Sequence, residues 1–177
     1  SAYSDIAIGV SKLFGIRLTE NFNYPLFSQS IGDWWRRWHI SMMSWFRDYI
    51  YIPLGGGRAG TFRKLLNIQI VFWISGLWHG ADYHYVMWGV EAGASVAIGM
   101  LLLGNRPLQT LPTNVLVPSP VQFYRMVQTY LLQCMIWIVF RCMSVRDSFL
   151  VYRKLVDAFT SGGSVDRKST RLNSSHL

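Results

Sequence analysis

The chain has 177 residues, about the length of one ordinary domain. Hydrophobic residues make up 51% and charged residues only 15%, whereas a soluble domain has about 25% charged residues. The net charge of +8 would favour nucleic acid binding in a soluble protein, but here the basic residues cluster between apolar runs. The composition therefore argues against a soluble domain and predicts a protein of the lipid bilayer without a nucleic acid partner.

The first part of the chain has a helical pattern over residues 3–14 and no initial methionine, which predicts a fragment of a longer protein. After a loop, one continuous helix is predicted from Ser30 or Asp33 to Pro53. At roughly 100° per residue, its aromatic side chains share one face and its charged side chains share the other, with His39 on the border. This helix is too charged to span a bilayer, so we expect an amphipathic helix that lies in the membrane interface or packs beside a polar cavity.

A glycine-rich basic loop, PLGGGRAGTFRK, follows at residues 53–64. Consecutive glycines can bind phosphate, but the spacing matches neither a Walker nor a dinucleotide motif, so a tightly turned or flexible connection is favoured. The next apolar run, residues 65–78, has only 14 residues, whereas a full span needs about 20. This run is therefore too short to be interpreted as an ordinary membrane span.

Two later segments, residues 83–104 and 121–140, are long enough to span a bilayer and are joined by a proline-rich loop. Residues 141–159 are expected to form a polar or amphipathic exit helix. The last residues, 161–177, are small, polar and basic without periodicity, and we interpret them as a non-native remnant. The domain itself is therefore expected to occupy residues 1–160.

Basic residues cluster in two regions, residues 47–64 and 141–154. If residues 65–78 crossed the membrane completely, three crossings would separate the two clusters and place them on opposite sides. If this segment enters the membrane and returns, both clusters are cytoplasmic, as the positive-inside rule requires. The sequence therefore predicts a re-entrant or half-buried segment at residues 65–79, surrounded by protein or water.

The motif SGLWHGA places His79 at the end of this apolar segment. Ionisable groups at membrane depth are costly and are functional candidates. A neutral imidazole in a partly dry site suits a general base. Gly76 and Gly80 leave room for a substrate or another backbone. The alternative is an interfacial histidine beside an interfacial tryptophan, Trp78.

Other polar residues allow further interpretations. Ser75 lies four residues before His79 and would share its helical face, but a serine bonded to its own helix is commoner than a Ser–His nucleophile. His84 and Glu91 would share a face and could line a polar cavity. A second class of function is a non-catalytic helical membrane protein that binds haem or metal through His39, His79 and His84.

Five motifs occur in order between residues 3 and 89: YSDIAIG, NFNYP, WWRRWHISMMSWFRDYIYIPLGG, SGLWHGA and YVMWG. Together they resemble the membrane-bound O-acyltransferase family, above all its alginate O-acetyltransferase branch and more distantly the teichoic-acid D-alanyltransferases. The resemblance implies an all-α, polytopic integral membrane protein, a ring of helices around a funnel. Asp82, which follows HGA, departs from the small or neutral residue that is frequent there.

The resemblance also implies a chemistry. Family members move an acyl group, here acetyl, from a donor such as acetyl-CoA or an acyl carrier toward a polysaccharide hydroxyl, with no bound cofactor or metal. They work with a separate extracytoplasmic partner protein, which predicts a multi-pass protein of the bacterial cytoplasmic (inner) membrane. The family's two characteristic histidines correspond to His39 in RRWHIS and His79 in LWHG, the second being catalytic. Substrate-channel or positioning roles are assigned to Trp78, Arg36, Trp38, Ser75 and Asp48.

Overall fold

The computed structural model describes residues 2–58, 60–103 and 117–160, except for the side chains of Ala2 and Leu103. Within these ranges the chain is helical apart from loops and one isolated β-bridge, which confirms the all-α class. A 3-10 turn at Pro25–Phe27 precedes α2, and a π-helical segment at Arg47–Tyr51 follows α3. The helices are α1 (Ala2–Leu13), α2 (Ile31–Arg37), α3 (Ile40–Phe46), α4 (Gly60–His79), α5 (Tyr83–Leu103), α6 (Pro120–Arg141) and α7 (Val145–Thr160).

The antiparallel pair of α4 and α5 is held together by very close backbone contact. A Cβ on Gly76 would overlap the carbonyl oxygen of Tyr85, and a Cβ on Gly89 would overlap that of Phe72. Nearby, the side-chain amide of Gln69 donates to two backbone carbonyl oxygens of α5 at 3.3 and 3.4 Å. Small residues allow helices to approach this closely in a membrane, where packing rather than the hydrophobic effect holds helices together.

A mainly aromatic core joins α2 to the α4–α5 pair and to α6. Trp35 packs edge-on against Phe72 of α4 and Trp88 of α5, with ring centroids 5.1 and 5.9 Å apart. Such edge-to-face pairs contribute about 0.5–1.5 kcal/mol beyond the burial of their area. The core places the end of α2 beside the end of α4. Its buried members are Ile31, Trp34, Trp35, Phe72, Trp88, Ala92, Ile136 and Val139.

The prediction of a single helix up to Pro53 is wrong, because the chain turns sharply at His39. Its start is close to the prediction, since Ser30 caps α2 by accepting a hydrogen bond from the backbone N–H of Asp33. His39, however, has φ 50° and ψ 51°, the left-handed conformation, and separates α2 from α3. The continuous amphipathic face calculated for one helix is therefore not formed. The cause is tertiary, as described for the site below.

The apolar run at residues 65–78 belongs to a longer helix than its hydropathy indicated. α4 has 20 residues without a reversal, and the re-entrant or half-buried placement of residues 65–79 stays a prediction. Among the described residues, one helix is long and apolar enough to cross a membrane, at Tyr83–Leu102. The second proposed span, residues 121–140, forms a helix, α6. This helix is less apolar than α5 and is not apolar enough to be counted as a candidate span.

The glycine loop is a tight turn, as favoured from the sequence. Gly55 and Gly56 have φ values of 98° and 56°, a region that side chains disfavour. The fully buried side chain of Asn67 donates to the carbonyl oxygens of Leu54 and Gly56, each at 3.1 Å, and so fixes the loop against α4.

The exit helix predicted at residues 141–159 is confirmed as α7. The proline-rich loop before α6 lies mostly outside the described residues, and residues 161–177 lie wholly outside them. The proposed domain boundary at residue 160 therefore stays a prediction.

Candidate active site

His79, the last residue of α4, lies half-buried among aromatic rings from three helices. Its ring centroid is 4.8 Å from that of Trp78, 5.2 Å from that of Trp88 and 5.0 Å from that of Phe140. Tyr85 is stacked farther away, at 6.3 Å. Because α4 ends at this residue, its side chain lies at the edge of the aromatic core, with α5 and α6 packed around it.

The structure brings His39 close to His79, and both rings contact the same indole, that of Trp78. Trp78 contacts the ring of His79 and also that of His39, at a centroid distance of 6.1 Å and nearly at right angles. Burial, and after it the nearby charge of His39, lower the pKa of His79 below the usual histidine value. His79 is therefore a neutral base at neutral pH, with a second histidine beside it.

His39 itself has two features that are unusual for a residue with only a structural role. Left-handed backbone is uncommon outside glycine, and residues held in it cluster at functional sites. Its Nδ1 atom is buried and has no hydrogen-bond partner among the described residues. An unmade bond of this kind costs about 1–3 kcal/mol. Both features favour a functional role for His39. The local sequence around His39 did not indicate such a role.

Trp38 fixes the backbone just before His39 by aromatic packing. Its ring stacks on Trp34 at 5.8 Å, meets Trp137 of α6 at 5.5 Å, and is contacted edge-on by Phe22 at 4.9 Å. Trp137 in turn packs on Phe140, which touches His79. Trp38 and His79 are thus linked through a continuous set of rings.

The space beside the two glycines of the motif is filled by α5. Gly76 faces backbone of α5, and a Cβ on Gly80 would lie 2.5 Å from the ring of Tyr85. The expectation that the glycines admit a second backbone is confirmed at Gly76. Ser75 is buried on the same helix, one turn before His79 and on the same helical face.

Three of the expected positioning residues are exposed: Trp78, at 60%, Arg36 and Asp48. The Arg36 side chain is 63% exposed, and its Nη2 lies 3.8 Å from Oδ1 of Asp33. Asp48, on the π-helical segment, accepts a 2.7 Å hydrogen bond from Nε of Arg47, and this bond holds the pKa of its carboxyl below the usual value. Arg47 and Asp48 therefore form an exposed charge pair.

His84 and Glu91 have different partners and do not form a shared cluster. Nδ1 of His84 lies 3.2 Å from Oδ1 of Asp82, whose carboxylate also accepts the backbone N–H of His84 at 3.3 Å and so caps α5. Glu91 accepts a 2.8 Å hydrogen bond from the hydroxyl of Tyr152 on α7. In the described ranges, no three His, Cys, Asp or Glu side chains are grouped so that they could hold a metal ion. The geometry therefore gives no support to the three-histidine haem or metal site.

A family model bears on what this pair of histidines does. The model of the MBOAT, or membrane-bound O-acyltransferase, family matches residues 1–145, most of the chain. The chain belongs to the membrane-bound O-acyltransferase family. Both histidines lie within the matched residues.

Named relatives of this MBOAT chain include acyltransferases that differ in their polymers. It is 40% identical over 155 residues to a protein named Probable alginate O-acetylase AlgI from Pseudomonas aeruginosa, covering 88% of this chain and 28% of the relative. It is 42% identical to a Peptidoglycan O-acetyltransferase of Helicobacter pylori, over 55% of this chain and 19% of the relative. It is 30% identical to a Teichoic acid D-alanyltransferase of Bacillus subtilis, over 64% of this chain and 31% of the relative. The chain thus spans less than a third of each of these relatives.

Sequence reasoning missed several residues that build the site of this MBOAT chain. Asn21 binds the backbone next to His39, while Tyr85, Trp88 and Phe140 contact the ring of His79. Asn21 lies in NFNYP, and both α5 aromatics lie in YVMWG, so the ordered motifs did contain a signal for them. Phe140 is one apolar residue of a long apolar helix and carries no such signal.

Proposed function

We propose that the full-length protein containing this chain is a membrane-embedded O-acyltransferase that transfers acetyl groups toward an exported, alginate-like polysaccharide. The observation that carries the proposal is that His39 and His79 lie close together and both contact the ring of Trp78. Family membership and the names of the relatives support the reaction class.

In this reaction His79 serves as the general base. Its free ring nitrogen accepts the proton of an acceptor hydroxyl while the hydroxyl oxygen attacks the carbonyl carbon of the acyl donor. The new C–O bond forms, the C–S bond of the thioester breaks, and the leaving thiolate takes the proton back from the imidazolium. The lowered pKa of His79 supports this role because it keeps the base free at neutral pH. General-base catalysis of this kind contributes about 10²–10⁴-fold.

His39 serves as the second histidine of the site and orients a substrate group or makes a second proton contact. Its buried Nδ1, unpaired among the described residues, is an atom that a bound substrate could satisfy. Trp78, which contacts both imidazoles, is proposed to line the substrate channel. The remaining positioning roles are proposed for Trp38, Arg36, Ser75 and Asp48.

The proposed setting is the bacterial cytoplasmic membrane, with a donor such as acetyl-CoA or an acyl carrier as substrate rather than as a bound cofactor. A separate extracytoplasmic acetyltransferase completes acetylation of the polymer. A ring of helices around a funnel would form only with parts of the protein outside this chain, since the chain spans 28% of its alginate relative.

Replacement of the base in the full-length protein tests the proposal. His79→Ala should abolish transfer of labelled acetyl groups to the polymer while the protein still inserts into the membrane at normal levels. His84→Gln is the matched control, because His84 pairs with Asp82 and has no role in the proposed step. Polymer acetylation that persists in His79→Ala would refute the assignment.

A further inference from the structure

A short extended segment at residues 21–23 pairs with the chain on both sides of His39. Phe22 and Trp38 form an antiparallel bridge, and the backbone N–H of Asn23 donates to the carbonyl oxygen of Arg37 at 2.9 Å. On the other side, the backbone N–H of Ile40 donates to the carbonyl oxygen of Asn21 at 3.0 Å. The pairing therefore continues past His39 and fixes the backbone before and after it.

The side chain of Asn21 adds two further bonds on the far side of the turn. Its Oδ1 accepts the backbone N–H of Ser41 at 3.0 Å and the hydroxyl of Ser41 at 2.6 Å. A carbonyl oxygen has two lone pairs, so both bonds can be made at once. In this way Asn21 satisfies an N–H in the first turn of α3, where a helix has no partner of its own. The helix start next to His39 is capped by a residue distant in sequence.

These contacts stabilise a backbone conformation that His39 would otherwise disfavour. A residue other than glycine in the left-handed region costs of order 1 kcal/mol or more and persists only where its surroundings hold it there. The left-handed turn aims the imidazole toward Trp78 and away from the direction that a continued α2 helix would give it. On the far side of this turn, Asn21 accepts three hydrogen bonds, two from backbone N–H groups and one from the hydroxyl of Ser41.

We propose that Asn21 is a positioning residue of the acyltransferase site, which acts through His39 and does not itself touch substrate. This inference rests on the proposed function, because it assigns a role relative to the two histidines. Asn21 is singled out within its segment because it bonds through both backbone and side chain. The neighbouring Asn23 bonds through backbone atoms, and its side chain is exposed.

The test uses the full-length protein and compares Asn21→Ala, Asn21→Asp and the matched control Asn23→Ala. Asn21→Ala should lower kcat for acetyl transfer about 10- to 100-fold, the equivalent of losing one or two net hydrogen bonds, with a smaller change in KM. Asn21→Asp keeps an oxygen that accepts both Ser41 bonds, so it should restore most of kcat. Asn23→Ala should stay within about 2-fold of the parent protein, because the backbone bonds remain.

A double-mutant comparison separates positioning from a general effect on stability. If Asn21 acts through His39, then Asn21→Ala should have little further effect in a protein that already carries His39→Ala. Equal fold losses in both backgrounds, or no loss in Asn21→Ala alone, would overturn the proposal. If His39→Ala and His79→Ala both leave transfer intact, then the proposed function fails instead, so the two failures are distinguishable.

A second measurement applies even where His39→Ala leaves no activity to compare. Diethyl pyrocarbonate modifies exposed imidazoles, and mass spectrometry reports each histidine separately. Asn21→Ala should change the modification rate of His39 several-fold and leave that of His84 unchanged. Equal changes at both histidines would indicate general unfolding, and an unchanged His39 would contradict the positioning role.

Discussion

His39 lies close enough to His79 for its charge to lower the pKa of that histidine, in addition to the larger effect of burial. These two residues are forty positions apart in sequence, yet both contact the ring of Trp78. Neither helix periodicity nor hydropathy predicts that the two histidines lie close together. The effect of His39 on the pKa of His79 has a measurable consequence for activity.

The pH dependence of transfer should reflect the lowered pKa of His79. A general base must be unprotonated, and kcat/KM reports the pKa values of the free protein, so kcat/KM should fall on the acid side only below the usual histidine value of about 6.5. In His39→Gln, the repulsive charge is absent, and the acid limb of the remaining activity should move up toward that value. An acid limb at higher pH in the parent protein than in His39→Gln would contradict the arrangement.

The same lowering has a defined sign for stability. The unfolded chain binds a proton at His79 more readily than the folded chain does. The contribution of His79 is therefore fully present above the usual histidine pKa and is lost as pH falls through the lowered one. This contribution can be measured by denaturing the full-length protein in detergent. The free energy of unfolding is compared with that of His79→Gln over this pH range.

Close packing of α4 on α5 should make Gly76 intolerant of any side chain. In Gly76→Ala, the new Cβ would overlap the carbonyl oxygen of Tyr85, so the helices must separate, at a cost of about 1–3 kcal/mol. Gly99→Ala on α5 is the control, because a Cβ there meets nothing within 4 Å and alanine favours a helix by about 0.5–1 kcal/mol. The melting temperature should fall in the first variant and hold or rise in the second. A fall of equal size in both would show that the tight approach does not matter.

How much the sequence predicts depends on whether a feature is local. The span of α5 follows from a hydrophobic run, that of α7 from a polar or amphipathic segment, and the ordered motifs pointed to His39 and His79. The break at His39 could not be predicted, because residues 21–23 impose it from outside the helix. The pattern of residues 30–53 fits one helix, and only a tertiary contact overrides it.

The same limit explains why the length of α4 was underestimated. Its first turns carry Arg63 and Lys64, which hydropathy assigned to the preceding loop. Asn67, a polar residue within the apolar run, fixes that loop to the helix. A buried polar side chain can be part of a helix wherever its hydrogen bonds are made, and the sequence does not show those bonds.

Asn67 should be necessary for the shape of the glycine loop. Asn67→Ala removes both donors to the carbonyl oxygens of Leu54 and Gly56 and leaves these oxygens unpaired, at a cost of about 1–3 kcal/mol. Hydrogen exchange of the loop amides should become faster than in the parent protein. Gln69→Ala, which loses longer bonds on another face of α4, should leave exchange in the loop unchanged. Unchanged loop exchange in Asn67→Ala would contradict the prediction.

The attachment of α7 should depend on one hydroxyl group, that of Tyr152. This hydroxyl lies 2.8 Å from Oε1 of Glu91 on α5 and 2.8 Å from the carbonyl oxygen of Met135 on α6, so it joins three helices. Burial and the Glu91 carboxylate raise the pKa of Tyr152, which keeps its proton available for donation. Tyr152→Phe should therefore loosen α7, at a cost of about 1–3 kcal/mol, because it leaves a half-buried acceptor unpaired.

The control for this change is Tyr124→Phe, since Tyr124 on α6 is 67% exposed. A lower melting temperature and faster hydrogen exchange in α7 are expected for Tyr152→Phe only. Glu91→Gln keeps a carbonyl oxygen that can accept from Tyr152, so its effect should be smaller than that of Tyr152→Phe. If Tyr152→Phe and Tyr124→Phe were equally stable, the hydroxyl could not be what holds α7 to α5 and α6, and apolar packing of the helix would have to account for its position.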